Sequence, residues 1–319
     1  MLLIDSATVL KSPAADLQHA ARIVAALFEE RRRGGALSAQ EVPMRPEGRG
    51  SAFYSLPAYI ESAGMAGIKW TTHCRGAEPY TKPVVVLNDI DDGTPLALLD
   101  GWVISAVRTA AVSLCFYKHL EGLEKNAVLL CGAGHQAEWQ AAALFTRFPN
   151  LGLLRLWSRS AAHADDCRRR VEAILGRRLP IEVVEDLHAA ARKSDFVVGA
   201  CSSDEPYLTK EDLAGCGYVH IGMNDVSGEA LLSYPRIICD EFETAKRRSA
   251  QSLFRLWRSD PSIESRVELL ENFTGRIAAG ERFCFDSFGL SIFDLGLAVE
   301  AYRHAREHGL GLDWPLFGR

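Results

Sequence analysis

The sequence predicts an α/β protein that combines a doubly wound parallel sheet with a discontinuous α+β domain. From residue 126 onward, short apolar segments alternate with helical segments, which is the pattern of a parallel sheet with right-handed crossovers. Before residue 100, strand-like segments follow one another with turns between them. The last helical segment, 290–308, does not continue this alternation of strands and helices, and we expect it to return to the first domain.

The first part of the chain is expected to contain both helices and strands. Gly34-Gly35 follows a strongly helical run and predicts its C-cap. Asp91-Asp92-Gly93 predicts a turn, and therefore a hairpin between the segments on either side. The predicted elements are a strand-like opening over 1–9, a helix over 14–33, strands over 52–56, 67–72, 84–88 and 95–99, and a helix over 104–121.

The second part of the chain is expected to supply the parallel sheet. Its predicted strands are 126–131, 153–157, 181–184, 195–200, 218–221 and 236–240. Its predicted helices are 136–147, 161–175 and 186–193, with a helical turn near 209–214 and helical segments at 242–258 and 262–278.

Length and charge limit the classes of function. A chain of 319 residues is long enough for about two domains with sizeable cores. Its net charge of -5 gives no reason to expect a nucleic-acid partner. The basic run Arg168-Arg169-Arg170 lies close to Asp165 and Asp166, and we interpret it as a solvated helix face.

The cysteines predict neither disulfides nor a metal site. All eight are scattered, without a C-x-x-C pair or zinc-like spacing, which is typical of a reducing compartment. The N-terminal residues lack the pattern of a secretory signal, and no apolar stretch reaches the roughly 18 residues of a membrane span. We therefore expect a cytoplasmic protein without a membrane partner.

The most informative motif is the glycine-rich segment 132–137, G-A-G-H-Q-A, between a buried strand and a helix. In a Rossmann-type unit the first glycine makes a tight turn, the second lets the backbone approach a pyrophosphate, and the small third residue lets helix and strand pack closely. The phosphates bind at the helix N-terminus. An ordinary βα turn is the alternative. Cofactor contacts are expected from Gly132, Gly134, His135, Gln136 and Ala137.

The next strands predict which nicotinamide cofactor binds. An acidic residue after the second strand would hold the ribose 2′-OH of NAD, but this strand ends in Ser158-Arg159-Ser160. An arginine between two hydroxyls suits a 2′-phosphate, so NADP(H) is favoured and NAD(H) remains possible. Alternatively, Arg159 only caps a loop. The fourth strand ends in Ala200-Cys201-Ser202, which is consistent with cofactor contact.

These segments together resemble the ornithine cyclodeaminase/μ-crystallin family over almost the whole chain. The matching segments are G-I-K-W at 67–70, D-G-T-P-L-A at 92–97, V-R-T-A-A-V at 107–112, G-A-G-H-Q-A at 132–137 and G-L-S-I-F-D at 289–294. The resemblance implies a substrate-binding and dimerisation domain over 1–115 with 286–319, and a Rossmann dinucleotide-binding domain over 116–285. Residues 221–230 and the C-terminal third look similar to the branch that forms 2,3-diaminopropionate.

The resemblance also implies a substrate site made of Arg45, Lys69, Arg108 and Asp225. Arginine offers a bidentate fork to an α-carboxylate, which suits Arg45 and Arg108. Lys69 would exchange a proton with the substrate nitrogen, and nearby like charges would lower its pKa. Asp225 would hold the amino group or act as the acid/base. Arg108 and Thr109 are also expected to contact the cofactor.

Each of these assignments has an alternative. Lys69 could face solvent, Arg108 could make a structural ion pair, and Arg49 could replace Arg45. The family pattern G-x-D-x-P-G is altered here to G-M-N-D-V-S-G at 222–228, so Asn224 could occupy the position of the acid instead of Asp225.

The function expected from the resemblance is that of an NAD(P)-dependent oxidoreductase acting on the Cα–N bond of a small α-amino or α-imino acid. The first alternative is a cyclodeaminase that recycles its NAD during ammonia release. The second is a non-catalytic protein that keeps NADP(H) as a ligand. The resemblance also implies a homodimer.

Overall fold

The computed structural model describes residues 1–74, 76–122, 127–247 and 249–316. Contacts divide the chain into two units, one formed by Met1–Ala111 with the segment from Leu290 onward, and the other by Val112–Gly289. The borders expected from the sequence were 115 and 286. Asn126, the first residue of a predicted strand, lies outside the described residues.

The helices and strands are numbered in chain order. The first pass through unit one contains β1 (Leu2–Ile4), α1 (Ser6–Lys11), α2 (Leu17–Arg32), β2 (Ala36–Ser38), β3 (Val42–Met44), β4 (Ser51–Ile60), β5 (Met65–Cys74), β6 (Thr81–Asp89), β7 (Pro95–Asp100) and the start of α3 (Trp102–Tyr117). Unit two contains β8 (Ala127–Cys131), α4 (His135–Arg147), β9 (Leu153–Trp157), α5 (Ala161–Leu175), β10 (Ile181–Val184), α6 (Leu187–Arg192), β11 (Phe196–Gly199), β12 (Gly217–His220), α7 (Gly228–Leu232), β13 (Ile237–Cys239), α8 (Ser252–Ser259), β14 (Val267–Leu269) and β15 (Cys284–Asp286). The chain then returns to unit one with α9 (Ser291–Glu307) and β16 (Leu312–Asp313).

Unit one is a mixed sheet covered on one face by α9. Its strand order is β16-β1-β7-β6-β5-β4-β2, with β3 paired to β4. Glycines allow α9 to approach both of its neighbours: a Cβ at Gly67 would lie 2.6 Å from the Leu295 side chain, and one at Gly296 would lie 2.5 Å from Leu27 on α2. The buried helix α9 therefore lies between the sheet and α2, and it carries its side chains into the core of this unit.

Unit two is a parallel sheet in the order β10-β9-β8-β11-β12-β15-β13-β14. β9 and β10 lie on one side of β8, and β11 and β12 lie on the other, so the strand order reverses beside β8. All residues of β11 and β12 are buried, as expected for central strands of a doubly wound sheet. The predicted α/β fold with a doubly wound parallel sheet is confirmed, and its ligand-binding edge is expected at the carboxyl ends of these strands.

The largest corrections fall between residues 242 and 286. The two helical segments predicted there are only partly found: α8 covers Ser252–Ser259, and 3-10 helices cover Pro261–Arg266 and Leu270–Asn272. The segments at 267–269 and 284–286 form β14 and β15 instead. β15 is inserted between β12 and β13, with which it pairs in parallel. Three-residue strands carry no detectable period, so only long-range pairing fixes them. The helical turn predicted near 209–214 is found as a turn over 210–215 that does not extend into a helix.

The N-terminal opening is also shorter than predicted. Only Leu2–Ile4 is a strand, because Asp5 caps helix α1 by accepting a hydrogen bond from the Thr8 backbone N–H at 2.8 Å. Within residues 1–74, 76–122, 127–247 and 249–316, no helix is long and apolar enough to cross a membrane.

Candidate functional site

Lys69 lies in unit one on the face of β5 that is covered by α9. Side chains alternate along a strand, so Lys69 shares this face with Gly67, which packs against α9. Its side chain is only 5% exposed, and its Nζ donates to Asp294 Oδ2 at 2.9 Å. The alternative that Lys69 is a solvent-facing strand residue does not agree with this position.

Asp294 connects Lys69 to Arg108. Arg108 Nε, on α3, donates to Asp294 Oδ1 at 3.2 Å, and the Arg108 side chain is 12% exposed. One buried carboxylate therefore holds two cations, which leaves the three charged groups with a net positive charge. Asp294 was not predicted as a site residue. The sequence feature that could have identified it is its position as the single carboxylate inside the apolar run 290–299.

Burial is the main reason why Lys69 titrates abnormally. Desolvation lowers its pKa from 10.5 to about 8, and Arg108 lowers it further, whereas Asp294 and Glu41 raise it. A lowered pKa was predicted from the sequence as an effect of like charges, which are the smaller cause. A lysine with this pKa changes protonation state close to neutral pH and is therefore suited to proton exchange.

Arg45 lies at the exposed end of the same face of the sheet. Its Nη2 donates to the Tyr54 hydroxyl at 3.1 Å, and its guanidinium carbon lies 5.5 Å from the centre of the Tyr54 ring. The ring of His73, four residues beyond Lys69 on β5, is 5.0 Å from that of Tyr54. Burial lowers the pKa of His73, and the charges of Lys69 and Arg45 lower it further. Arg45 and Lys69 therefore act electrostatically on the same group.

In unit two, the glycine turn has the geometry that a pyrophosphate requires. Gly132 has φ 125°, and a Cβ there would lie 2.7 Å from the Ala200 carbonyl oxygen. Gly134 is the N-cap of α4 without a side-chain capping bond, and a Cβ there would meet no described atom within 4 Å. Ala137 is fully buried, as close packing of helix and strand requires. These features fit a dinucleotide whose phosphates accept from the first N–H groups of α4.

A charged group from α5 supports this turn. Arg170 Nε donates to Glu138 Oε1 at 2.6 Å, and Arg170 Nη2 donates to the Ala133 carbonyl at 3.3 Å. His135 Nδ1 lies 3.6 Å from Glu138 Oε2. Arg170 is exposed, as predicted for this helix face, but it also contacts the glycine turn, whereas Arg168 and Arg169 pair with acids of their own helix.

After β9, two serines make local hydrogen bonds and the arginine between them is exposed. The Ser160 hydroxyl accepts from the His163 backbone N–H at 3.4 Å and caps α5, while the Ser158 hydroxyl accepts from the Ser160 N–H at 3.5 Å. Arg159 is exposed. Its charge lowers the pKa of the Cys201 thiol, which burial raises to about 12. The ends of β9 and β11 therefore come together at the same edge of the sheet.

The remaining predicted cofactor residues lie on β11 and α3. Ala200 and Cys201 are half-buried, and Ser202 is exposed just after β11. On α3, the Thr109 hydroxyl donates to the Ser105 carbonyl at 2.8 Å, one helical turn earlier. Cofactor contact by Thr109 and Arg108 stays a prediction.

The loop after β12 buries both candidates for the acid. Asn224 is 6% exposed, and with its amide oriented to satisfy its neighbours the nitrogen donates to the Ala250 carbonyl at 3.0 Å and to the Met223 carbonyl at 3.2 Å. Asp225 is fully buried, and its Oδ2 lies 3.9 Å from Nε2 of His220, whose Nδ1 is 2.6 Å from Asp286 Oδ2. This geometry does not support a direct proton exchange between Asp225 and substrate. The sequence analysis identified neither His220 nor Asp286.

Comparison with known proteins agrees with this fold and these motifs. A dehydrogenase of N-((2S)-2-amino-2-carboxyethyl)-L-glutamate from Staphylococcus aureus is 22% identical over 277 residues, which cover 82% of each chain. An iminosuccinate reductase from Paracoccus denitrificans is 27% identical over 279 residues, which cover 82% of this chain and 84% of the reductase.

A solved structure extends the likeness to three dimensions. The Δ(1)-pyrroline-2-carboxylate reductase of Thermococcus litoralis, in complex with NADH and L-proline, superposes with a TM-score of 0.88 at 23% identity, and the match covers 98% of this chain and 100% of the reductase. The sequence pattern of the ornithine cyclodeaminase/mu-crystallin family matches residues 7–309. The chain therefore belongs to the ornithine cyclodeaminase/mu-crystallin family.

Proposed function

We propose that this protein is an NAD(P)-dependent oxidoreductase acting on the Cα–N bond of a small α-amino or α-imino acid. The observation that carries the proposal is the buried cluster of Lys69, Asp294 and Arg108, which combines a net positive charge with a lysine that titrates near pH 8. The relatives named above include a dehydrogenase and reductases with substrates of this chemical class.

Arg108 is proposed to bind the α-carboxylate of the substrate. Its hydrogen bond to Asp294 uses Nε, and a guanidinium bound in this way can still offer its two terminal nitrogens as a fork to a carboxylate. Asp294 fixes the orientation of the guanidinium before substrate arrives, which lowers the entropy that binding would otherwise lose. Arg45, at the exposed end of the same sheet face, is proposed as a second cationic anchor for an anionic group of the substrate.

Lys69 is proposed as the acid and base at the substrate nitrogen. In the reductive direction its ammonium donates a proton to the imine nitrogen, and in the oxidative direction its neutral amine accepts one from the amino group. A bound nicotinamide supplies or accepts the hydride at the substrate Cα. Lys69 and Arg108 orient the α-carbon for this transfer by holding the two groups attached to it.

The cofactor is proposed to bind in unit two. The first N–H groups of α4 would hold the pyrophosphate, and Ala137 lets that helix pack against β8. NADP(H) is favoured through Arg159, because the cap of α5 by Ser160 leaves the arginine as the main candidate for a 2′-phosphate. A homodimer and a cytoplasmic location are further proposals, which rest on the family and on the scattered cysteines.

The experiment that tests this function follows nicotinamide absorbance and ammonia release together, with a panel of amino acids, cyclic imines and keto acids plus amines. Net consumption or formation of reduced nicotinamide supports the proposal. Ammonia release without net absorbance change would instead indicate a cyclodeaminase. Cofactor binding without either signal would indicate a non-catalytic binder.

A matched pair of variants assigns the proton transfer. Lys69→Met removes the ammonium but keeps the length of the side chain, and we expect turnover to be lost while NADP(H) affinity is nearly unchanged. Lys82→Met is the control, because Lys82 is an exposed lysine that donates to the Pro79 carbonyl. Equal activity in both variants would exclude Lys69 as the acid and base.

A further inference from the structure

Unit two contains a closed cluster of ionisable side chains that the proposed reaction does not use. His220, Asp225 and Asp286 are each fully buried. The His220 ring lies between the two carboxylates, with Nδ1 2.6 Å from Asp286 and Nε2 3.9 Å from Asp225. The hydroxyls of Tyr207 and Tyr218 are also buried in this region. Buried charges carry a desolvation cost that a purely structural role does not explain.

The Asp225 carboxylate lies against the carboxyl ends of β11 and β12. A Cβ at Gly199, the last residue of β11, would lie 2.8 Å from Asp225 Oδ2, and one at Gly222 would overlap with the same oxygen. The residue that follows Gly199 is Ala200, whose carbonyl packs against Gly132 of the glycine turn. The buried carboxylate therefore lies close to the backbone at this edge of the sheet.

The half of the sheet to which Asp225 belongs is the one expected to hold the nicotinamide. In a doubly wound sheet the first half, here β8 to β10, takes the adenosine, and the second half takes the other mononucleotide. An oxidised nicotinamide ring is a cation and a reduced ring is neutral. A buried negative charge close by consequently stabilises the oxidised ring and has little effect on the reduced one.

The groups around Asp225 determine when it carries that charge. Those facing it are His220 and Tyr218 from β12, Tyr207 from the preceding loop, and the thiols of Cys131 and Cys201. Burial raises the pKa of Asp225 to about 6, although His220 lowers it.

The partners of Asp225 also have perturbed pKa values. Asp286 raises the pKa of His220 against the effect of burial, which favours the protonated imidazole. Burial raises the pKa of both tyrosines well above 10, so their hydroxyls are neutral. Loss of the Asp225 proton therefore adds one negative charge to the cluster, and gain of the proton removes it.

We propose that Asp225, held by His220 and Asp286, is a buried charge that favours the oxidised over the reduced nicotinamide nucleotide and loses this preference when it gains a proton. Asp225 thus changes the relative affinity of the protein for the oxidised and reduced nucleotide, and it does not contact the substrate. The inference rests on the proposed nicotinamide binding but not on the identity of the substrate.

The test measures dissociation constants for NADP⁺ and NADPH, and for NAD⁺ and NADH, by quenching of tryptophan fluorescence from about pH 5 to about pH 8. In the wild type we expect the preference for the oxidised nucleotide to rise on the order of tenfold as pH increases through about 6. In Asp225→Asn the preference should be independent of pH. In His220→Asn the midpoint should move upward by about one pH unit, because the carboxylate loses its cationic neighbour.

Asp212→Asn is the matched control. Asp212 is a buried carboxylate of the same unit that pairs with His188 at 2.8 Å, and its loss should leave the midpoint where it is. A flat preference in the wild type, or the same pH response in Asp225→Asn, overturns the inference while the proposed function stands. Absence of any nucleotide binding by the wild type overturns both. If Asp225→Asn does not fold, an unchanged midpoint in His220→Asn is sufficient to refute the inference.

Discussion

Replacing Asp294 by asparagine should move the pH dependence of catalysis rather than only reduce its rate. Asp294 Oδ2 lies 2.9 Å from Lys69 Nζ, and both side chains are at most 5% exposed. Two unit charges at about 4 Å interact by roughly 4 kcal/mol at an effective dielectric constant of about 20. Even when half of this is lost to relaxation and to the remaining amide dipole, about 2 kcal/mol remains, and the pKa of Lys69 falls from about 8 to about 6.5.

The size of the effect follows from the protonated fraction of Lys69. In the reductive direction Lys69 must be protonated, so the wild-type kcat/KM should decrease as pH rises through about 8. At about pH 7.5 the protonated fraction is roughly three quarters with a pKa of about 8, but only about 9% with a pKa of about 6.5. We therefore expect Asp294→Asn to reduce kcat/KM about eightfold at this pH and to recover most of it near pH 5.5.

The assay is steady-state reduction of an imino-acid substrate over a range of pH, because kcat/KM reports the groups of the free enzyme. Glu300→Gln is the matched control, since Glu300 lies on the same helix and its Oε1 is 3.1 Å from His19 Nε2. Nucleotide affinity, measured in parallel, shows whether unit two is intact. A uniform loss of activity with an unchanged midpoint would refute the idea that Asp294 sets the pKa of Lys69.

Three further predictions concern unit two. Arg159→Asp should shift the preference from NADP towards NAD by removing the cation expected at the 2′-phosphate, and equal dissociation-constant ratios in both proteins would remove the basis for NADP(H). Arg170→Met should weaken binding of both cofactors about tenfold, because Glu138 at the start of α4 would lose the cation that neutralises it. Arg169→Met is the control and should not change the affinity measured by titration with either nucleotide. The fold raises the pKa of Asp225 from 3.8 to about 6, so the protonated carboxyl stabilises the folded state below pH 3.8 and this contribution is lost as pH rises through about 6. The free energy of unfolding of Asp225→Asn, compared with that of the wild type, should therefore be up to about 3 kcal/mol more favourable to the variant at pH 7 than at pH 4. Urea denaturation at the two pH values measures this difference, and an equal change at both would contradict it.

The parts of the fold that the sequence predicts best are those determined locally. The glycine turn and the strands and helices around it follow from hydrophobic periodicity and turn chemistry, and the structure places most of their ends within a residue or two. The final helix was equally clear because it is a long apolar run. β14 and β15 were missed because three residues have no period, and their strand character depends on pairing with β13.

The site was predictable to a lesser degree. Lys69 and Arg108 were found through family motifs, but the carboxylate that joins them is 225 residues away from Lys69, and sequence spacing cannot reveal such a contact. Burial, which dominates the pKa values of Lys69 and Asp225, is likewise a property of the folded chain. The contacts of Arg170 with Glu138 and the Ala133 carbonyl were not predicted, because adjacent arginines on one helix point in different directions.

The position of α9 also constrains the order in which the protein can mature on the ribosome. The helix that covers the sheet of unit one, and that carries the counter-ion of Lys69, is synthesised only after the whole of unit two. A nascent chain that has reached residue 289 presents an apolar sheet face without its cover, and a lysine without its carboxylate. Such a face is prone to aggregation. Unit two, whose sheet is continuous in the chain, can fold during this interval, so completion of the lysine site is one of the last events of biosynthesis.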